Sequence, residues 1–191
     1  SIVVPCMVES KEASNTMGSP QSRSPAQVIT LFSEIMQTAS EVKLAQAVRQ
    51  QIVAQLAHCV NAGVFNALVT KPELCTCTSG MQIRLSMGQL EDWLARDSIS
   101  FTARKKLAHA REAANLFVMD KRILKDEEAT KSAFSALNPA QIARLVDSFH
   151  PDNLSKAGVD AATLAEVKKR MQKTGSGDAT VQVDPHAWQG S

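Results

Sequence analysis

Over residues 24–172 the apolar residues recur every three or four positions, in one segment after another. That spacing puts them on one face of an α-helix, whose turn takes about 3.6 residues. The alternation with a period of two that marks a half-buried strand is not sustained anywhere, and Thr180 to Val183 is too short to count. A chain patterned this way must bury helix against helix. The expectation is an all-α, multi-helix bundle with long antiparallel helices.

Individual residues mark where the helices begin and stop. In Ser24-Pro25-Ala26-Gln27, Ser24 caps, Pro25 fits the first helical position because its missing N–H needs no partner there, and Gln27 completes a capping box. Val28, Leu31, Phe32, Ile35 and Met36 follow at helical spacing. After a weak break at 38–41 the longest helix runs to about Leu68, with a predicted inward stripe of Ala45, Val48, Ile52, Leu56, Cys59 and Gly63. Pro72 stops it, because the residue before a proline is pushed out of the helical region. A loop over 71–80 leads to a helix carrying Ile83, Met87, Leu90 and Leu94. Further helices are predicted over about 102–119, 126–136, 139–150 and 160–172. Asn138-Pro139-Ala140-Gln141 repeats the start signal of Ser24. The helical domain thus spans 24–173. Residues 1–23 and 174–191, polar and without period, are read as a flexible leader and a flexible tail.

Composition narrows the function. The 191-residue chain has no Tyr and only 4% aromatic residues, which argues against a base-stacking surface. Lys and Arg number 21 against 19 Asp and Glu, and a net charge of +2 is too small to make nucleic acid or an acidic membrane the main partner. The most apolar stretch, 51–69, contains Gln51, Gln55, His58, Asn61 and Asn66 and reads as too polar to insert in a bilayer. Cys6, Cys59, Cys75 and Cys77 form no disulfide framework, which points to a reducing, cytoplasmic compartment.

No catalytic centre emerges from the residues. Cys75-x-Cys77 invites a metal, with His58 or Cys59, but the spacing is wrong for a zinc knuckle and no second pair follows. Cys75 is read as filling a gap in the loop and Cys77 as facing solvent; no metal and no cofactor are expected. Glu91 and Asp92 point about 100° apart on a helix and make no dyad. Arg104-Lys105-Lys106 and Lys168-Lys169-Arg170 read as solvated faces, and Trp93 as a partly buried packing residue. A binding module is favoured over an enzyme.

Two sets of residues reach further. One runs from Val60-Asn61-Ala62-Gly63-Val64-Phe65-Asn66-Ala67-Leu68 through Gly80-Met81-Gln82-Ile83-Arg84 to Gln89-Leu90-Glu91-Asp92-Trp93-Leu94; the other joins Ala113-Ala114-Asn115-Leu116 to Leu137-Asn138-Pro139-Ala140-Gln141-Ile142 and Phe149-His150-Pro151. In this order they resemble the dilute (DIL) domain, the C-terminal part of the globular cargo-binding tail of class V and class XI myosins, over about residues 44–171. Phe65, Ile83, Leu90 and Leu94 are expected to be buried together. Asn66 is expected to bond across the following loop, and Gly80 to relax the entry to the next helix. The resemblance implies a non-enzymatic module that holds protein adaptors or small GTPases on vesicles and organelles, in the cytoplasm, for actin-based transport. It also implies docking on a myosin motor head for autoinhibition: Arg144 matches one of the basic positions involved, and Lys71 lies within one residue of the other, with Pro72 in the neighbouring place. The alternatives are a scaffold module of an afadin-like protein without a motor and a cysteine-dependent enzyme using Cys75 or Cys77.

Overall fold

The longest helix, α2 (Gln46–Thr70), is the axis of the fold. In the computed structural model, which describes residues 25–96, 100–174 and 179–182, α1 (Pro25–Glu41) precedes it. It is followed by α3 (Cys77–Arg96), α4 (Ser100–Lys105), α5 (Ala108–Val118), α6 (Glu127–Ala133), α7 (Pro139–Asp147) and α8 (Ala161–Thr174). Short 3₁₀ turns lie at Pro72–Leu74 and Lys121–Lys125. No strand is present among the described residues; Thr76 and His150 make one isolated parallel bridge.

Helix α2 is packed by α1, α4, α5 and α7. Its predicted stripe is therefore corrected: Val48 is 45% exposed and Cys59 lies on the surface, while Val53, Ala57, Val60, Val64, Phe65 and Leu68 are buried. A helix surrounded by neighbours is apolar on every side, so its sequence carries no phase from which one inward face can be read. The same surroundings explain its composition. By length and hydropathy α2 could cross a membrane, contrary to the reading of 51–69 as too polar, but 61% of its apolar window is buried inside the protein.

The predicted helix over 102–119 is broken at Lys106 and Leu107 into α4 and α5. The break frees backbone donors, and the buried Asn61 of α2 accepts one of them, from the Ala110 N–H, at 2.9 Å. Other starts are capped locally. Asn138 and Gln141 form the expected reciprocal capping box. The Asp126 side chain accepts from the N–H groups of Glu128 and Ala129. Thr76 Oγ1 accepts from Ser79 N–H at the start of α3, and Asp152 accepts there from Thr78 N–H at 2.6 Å. The Ser24 cap and residues 1–23 lie outside the described residues.

Part of the expected tail is docked. Residue Val181, 8% exposed, lies on α2, where Asn66 Nδ2–H donates to its carbonyl at 2.9 Å and Asn66 Oδ1 accepts from its N–H at 2.8 Å. His58 Nε2 is 3.0 Å from the Gln182 carbonyl oxygen. Asn66 thus satisfies a segment 115 residues away rather than the loop that follows it. An amide offers a donor and an acceptor side by side, which suits one residue of extended backbone.

Candidate functional site

The motif residues build a core rather than a cleft. Ile83, Leu90 and Leu94 point inward from α3 and Phe65 from α2, none more than 2% exposed. The Phe65 ring meets His109 edge-on, with centroids 5.6 Å apart. Gly80 corrects an expectation. It lies within the first turn of α3, where a Cβ would stand 2.8 Å from Phe117 Cβ and 2.9 Å from the Ala114 carbonyl oxygen. Its missing side chain lets α3 and α5 close on each other, the most extensive helix pair of the fold. Trp93 is half-buried; its Nε1–H donates to Ser33 Oγ at 2.9 Å and its ring meets Phe32 edge-on. Gln82 is half-buried too, and its Oε1 has no hydrogen-bond partner among the described residues.

Cys75 fills a gap as expected, whereas Cys77 does not face solvent. Cys75 is fully buried and its thiol donates to the Leu68 carbonyl at 3.2 Å. Burial pushes that thiol up to about 12, against the pull of the Arg144 guanidinium. Cys77, expected to face solvent, is 8% exposed, because it opens α3 against the core. His109 is held below its usual pKa, first by burial. A nucleophilic cysteine needs a thiolate and access, and Cys75 has neither. In native protein at pH 8, iodoacetamide should modify Cys59 and leave Cys75 unmodified until the chain unfolds, as read by peptide mass spectrometry. Labelling of Cys75 at the rate of Cys59 would contradict this placement. Among the described residues no group of three His, Cys, Asp or Glu could hold a metal ion.

The two basic candidates are brought to one end of α2. Lys71 is its C-cap residue, with an exposed side chain. Arg144 reaches over from α7, and its Nε–H donates to the Val69 carbonyl at 3.2 Å. Cations are favoured at a helix C-terminus, where the last carbonyls lack partners inside the helix.

Two features escaped the sequence reading. Glu112, 6% exposed on α5, accepts from the N–H groups of Ala136 and Leu137 and from Ser135 Oγ–H, fixing the α6–α7 connection. A cavity of about 290 Å³ opens between α6, α7 and α8. Its apolar wall comes from Phe134, Leu137, Pro139, Ile142 and Val167. The only trace in the sequence was the run Lys168-Lys169-Arg170, taken for a solvated face. Arg170 is instead half-buried and donates to the Lys125 carbonyl at 2.6 Å.

With this geometry in place, comparison with known proteins is decisive for the family. The DIL domain pattern matches residues 51–153, more than half of the chain. The chain belongs to the DIL domain family. Rat unconventional myosin-Va is 30% identical to this DIL domain protein over 124 residues, 64% of this chain and 7% of the myosin. Protein OPAQUE1 of maize is 24% identical over 149 residues, 76% of this chain and 10% of that protein. The chain thus spans no more than a tenth of the length of these relatives. Among solved structures, the DIL domain fold is similar to the Myo2 globular tail domain determined in complex with Inp2, with a TM-score of 0.80 at 19% identity, over 97% of this chain and 45% of that one. A myosin V cargo-binding domain gives 0.79 at 19% identity over 97% and 47%. The all-α architecture is that of the myosin V globular tail.

Proposed function

We propose that this DIL domain is a protein-interaction module that holds a cargo partner, as part of a myosin-V-like tail. The match over residues 51–153 carries the reading. The similar Myo2 tails were solved with the proteins Inp2, Smy1 and Mmr1 bound. The partner class taken over here is accordingly protein: adaptors or small GTPases on vesicles and organelles, in an actin-associated, cytoplasmic, non-enzymatic role. The rat and human relatives are myosins, which favours this reading over a scaffold without a motor. Its test is direct. In titration calorimetry, the full 191-residue chain binds the tail-binding segment of an adaptor from its own organism. Failure of every vesicle adaptor tried would overturn the cargo role.

Head docking is the finer part of the proposal. Lys71 and Arg144 stand together at the C-terminal end of α2, exposed to an incoming acidic surface. Exposed charges of this kind steer association more than they bind, so affinity falls with salt. Lys71→Glu combined with Arg144→Glu should weaken binding to a cognate motor head about tenfold or more at low ionic strength, each tenfold being about 1.4 kcal/mol. Loss of the charge-assisted Arg144 bond to Val69 costs about 1.5–3 kcal/mol, and carboxylates at the C-terminal end of α2 add to it, so the melting temperature should fall while the helical circular dichroism persists at 25 °C. Unchanged affinity in a folded double variant would remove head docking and leave the cargo role standing.

A further inference from the structure

We infer that the cavity between α6, α7 and α8 is a docking pocket for an acidic protein segment, which inserts one bulky apolar side chain between Phe134, Leu137, Ile142 and Val167. The polar groups in its wall are already engaged. Thr130 Oγ1–H donates to the Asp126 carbonyl at 2.6 Å, and Arg170 is held by the Lys125 carbonyl and by Glu166. The interior therefore offers apolar contact and nothing that would recognise a polar metabolite. At about 290 Å³ it is at the small end of ligand pockets and of the size that receives an anchor side chain of a protein partner.

The mouth says which partner fits. It is bounded by two exposed cations, Lys131 and Lys173, and one exposed carboxylate, Glu127, with the half-buried Arg170 in the wall behind them. Lys131 pairs with Glu127 at 2.8 Å and with Glu128 at 3.4 Å, but all three side chains are more than half exposed. Pairs so exposed are worth about 0–1 kcal/mol and exchange readily for a partner's carboxylate. Lys131 and Lys173 lie on different helices, so charges on both sides of the anchor residue are matched at once by a segment with acidic residues flanking a Leu, Phe, Met or Trp. A lone apolar molecule would fill the cavity without drawing on Lys131 or Lys173. Arg144 shares α7 with Pro139 and Ile142 of the pocket, but neither it nor Lys71 lines the pocket, and the inference stands independently of head docking.

The test uses the full chain and a panel of fluorescein-labelled 15-residue peptides. Each has one Leu, Phe, Met or Trp anchor flanked by Glu, and a matched control has Lys in place of Glu. Anisotropy should detect binding of at least one acidic peptide and none of the controls. Val167→Phe, which fills the cavity from its wall, should abolish that binding while the melting curve stays cooperative. Ile142→Phe serves the same purpose should Val167→Phe fail to fold. Lys131→Glu combined with Lys173→Glu, both at exposed positions, should weaken binding about tenfold, and added salt should do the same. Absence of binding across the panel, equal binding of the Lys controls, or binding that survives the filled cavity would overturn the inference. Displacement of the peptide by decanoate together with equal binding of the two peptide sets would reassign the pocket to an apolar small molecule.

Discussion

Phe65→Ala should destabilise the fold by about 3–5 kcal/mol, the usual range for truncating a buried Phe. Phe65 is fully buried near the C-terminal end of α2 and is in edge contact with the half-buried His109 of α5. Deleting the ring removes its apolar transfer energy and leaves a cavity. The neighbours are helices already packed on several sides of α2, so they have little freedom to collapse into it. A typical small domain has only about 5–15 kcal/mol in total, so the change should bring much of the chain towards unfolding at 37 °C. Urea unfolding monitored by circular dichroism gives the measurement: the midpoint should fall with an unchanged slope. A loss below about 0.5 kcal/mol, the size of a surface change, would mean that the α2–α5 interface is not the one described.

What the sequence disclosed, and what it did not, follows from the range of the interactions. The start of α7 was legible because its capping box joins residues three apart, and the inward face of α3 because α3 is a two-sided helix with a solvated back. The face of α2 was not, since neighbours on several sides erase the contrast between inside and outside. Nor was the role of Gly80: a glycine near a helix start looks like a hinge until Phe117 and Ala114 of another helix are set against it. Asn61 and Asp152 looked like ordinary polar residues, and Asn66 like a bridge to the loop that follows it. Their partners lie 49, 74 and 115 positions away, at distances no local pattern records. The cavity wall joins residues of α6 and α7 to Val167 of α8 and was hidden for the same reason. Of the candidate residues, Lys71 and Arg144 were reachable only through resemblance, because two exposed cations carry no pattern of their own.

The buried carboxylate on α5 gives the second large effect. Glu112→Ala should cost about 2–4 kcal/mol, since the buried Leu137 N–H left unpaired costs about 1–3 kcal/mol and the half-buried Ala136 N–H somewhat less, while the exposed Ser135 hydroxyl turns to water. Three donors converge on this side chain: Ala136 N–H at 2.9 Å, Leu137 N–H at 3.3 Å and Ser135 Oγ–H at 3.2 Å. They belong to the connection that leads into the α7 capping box, so their loss should loosen the start of α7 and the cavity wall at Leu137. Glu112→Gln separates hydrogen bonding from charge. The amide oxygen can still accept both backbone N–H groups, and the amide nitrogen can donate to Ser135 Oγ, so its cost should stay near 1 kcal/mol, the difference between a charge-assisted and a neutral bond. Hydrogen exchange should find the Ala136 and Leu137 amides deprotected in the Ala variant and protected in the Gln variant. The same Gln variant has a second readout. Burial holds the His109 pKa down and the Glu112 charge partly restores it, so neutralising Glu112 should lower the His109 pKa further in an NMR titration. Equal destabilisation by Ala and Gln would show that charge, not acceptance of the loop's N–H groups, is what Glu112 supplies. An unmoved His109 titration would show that the two side chains are not electrostatically coupled.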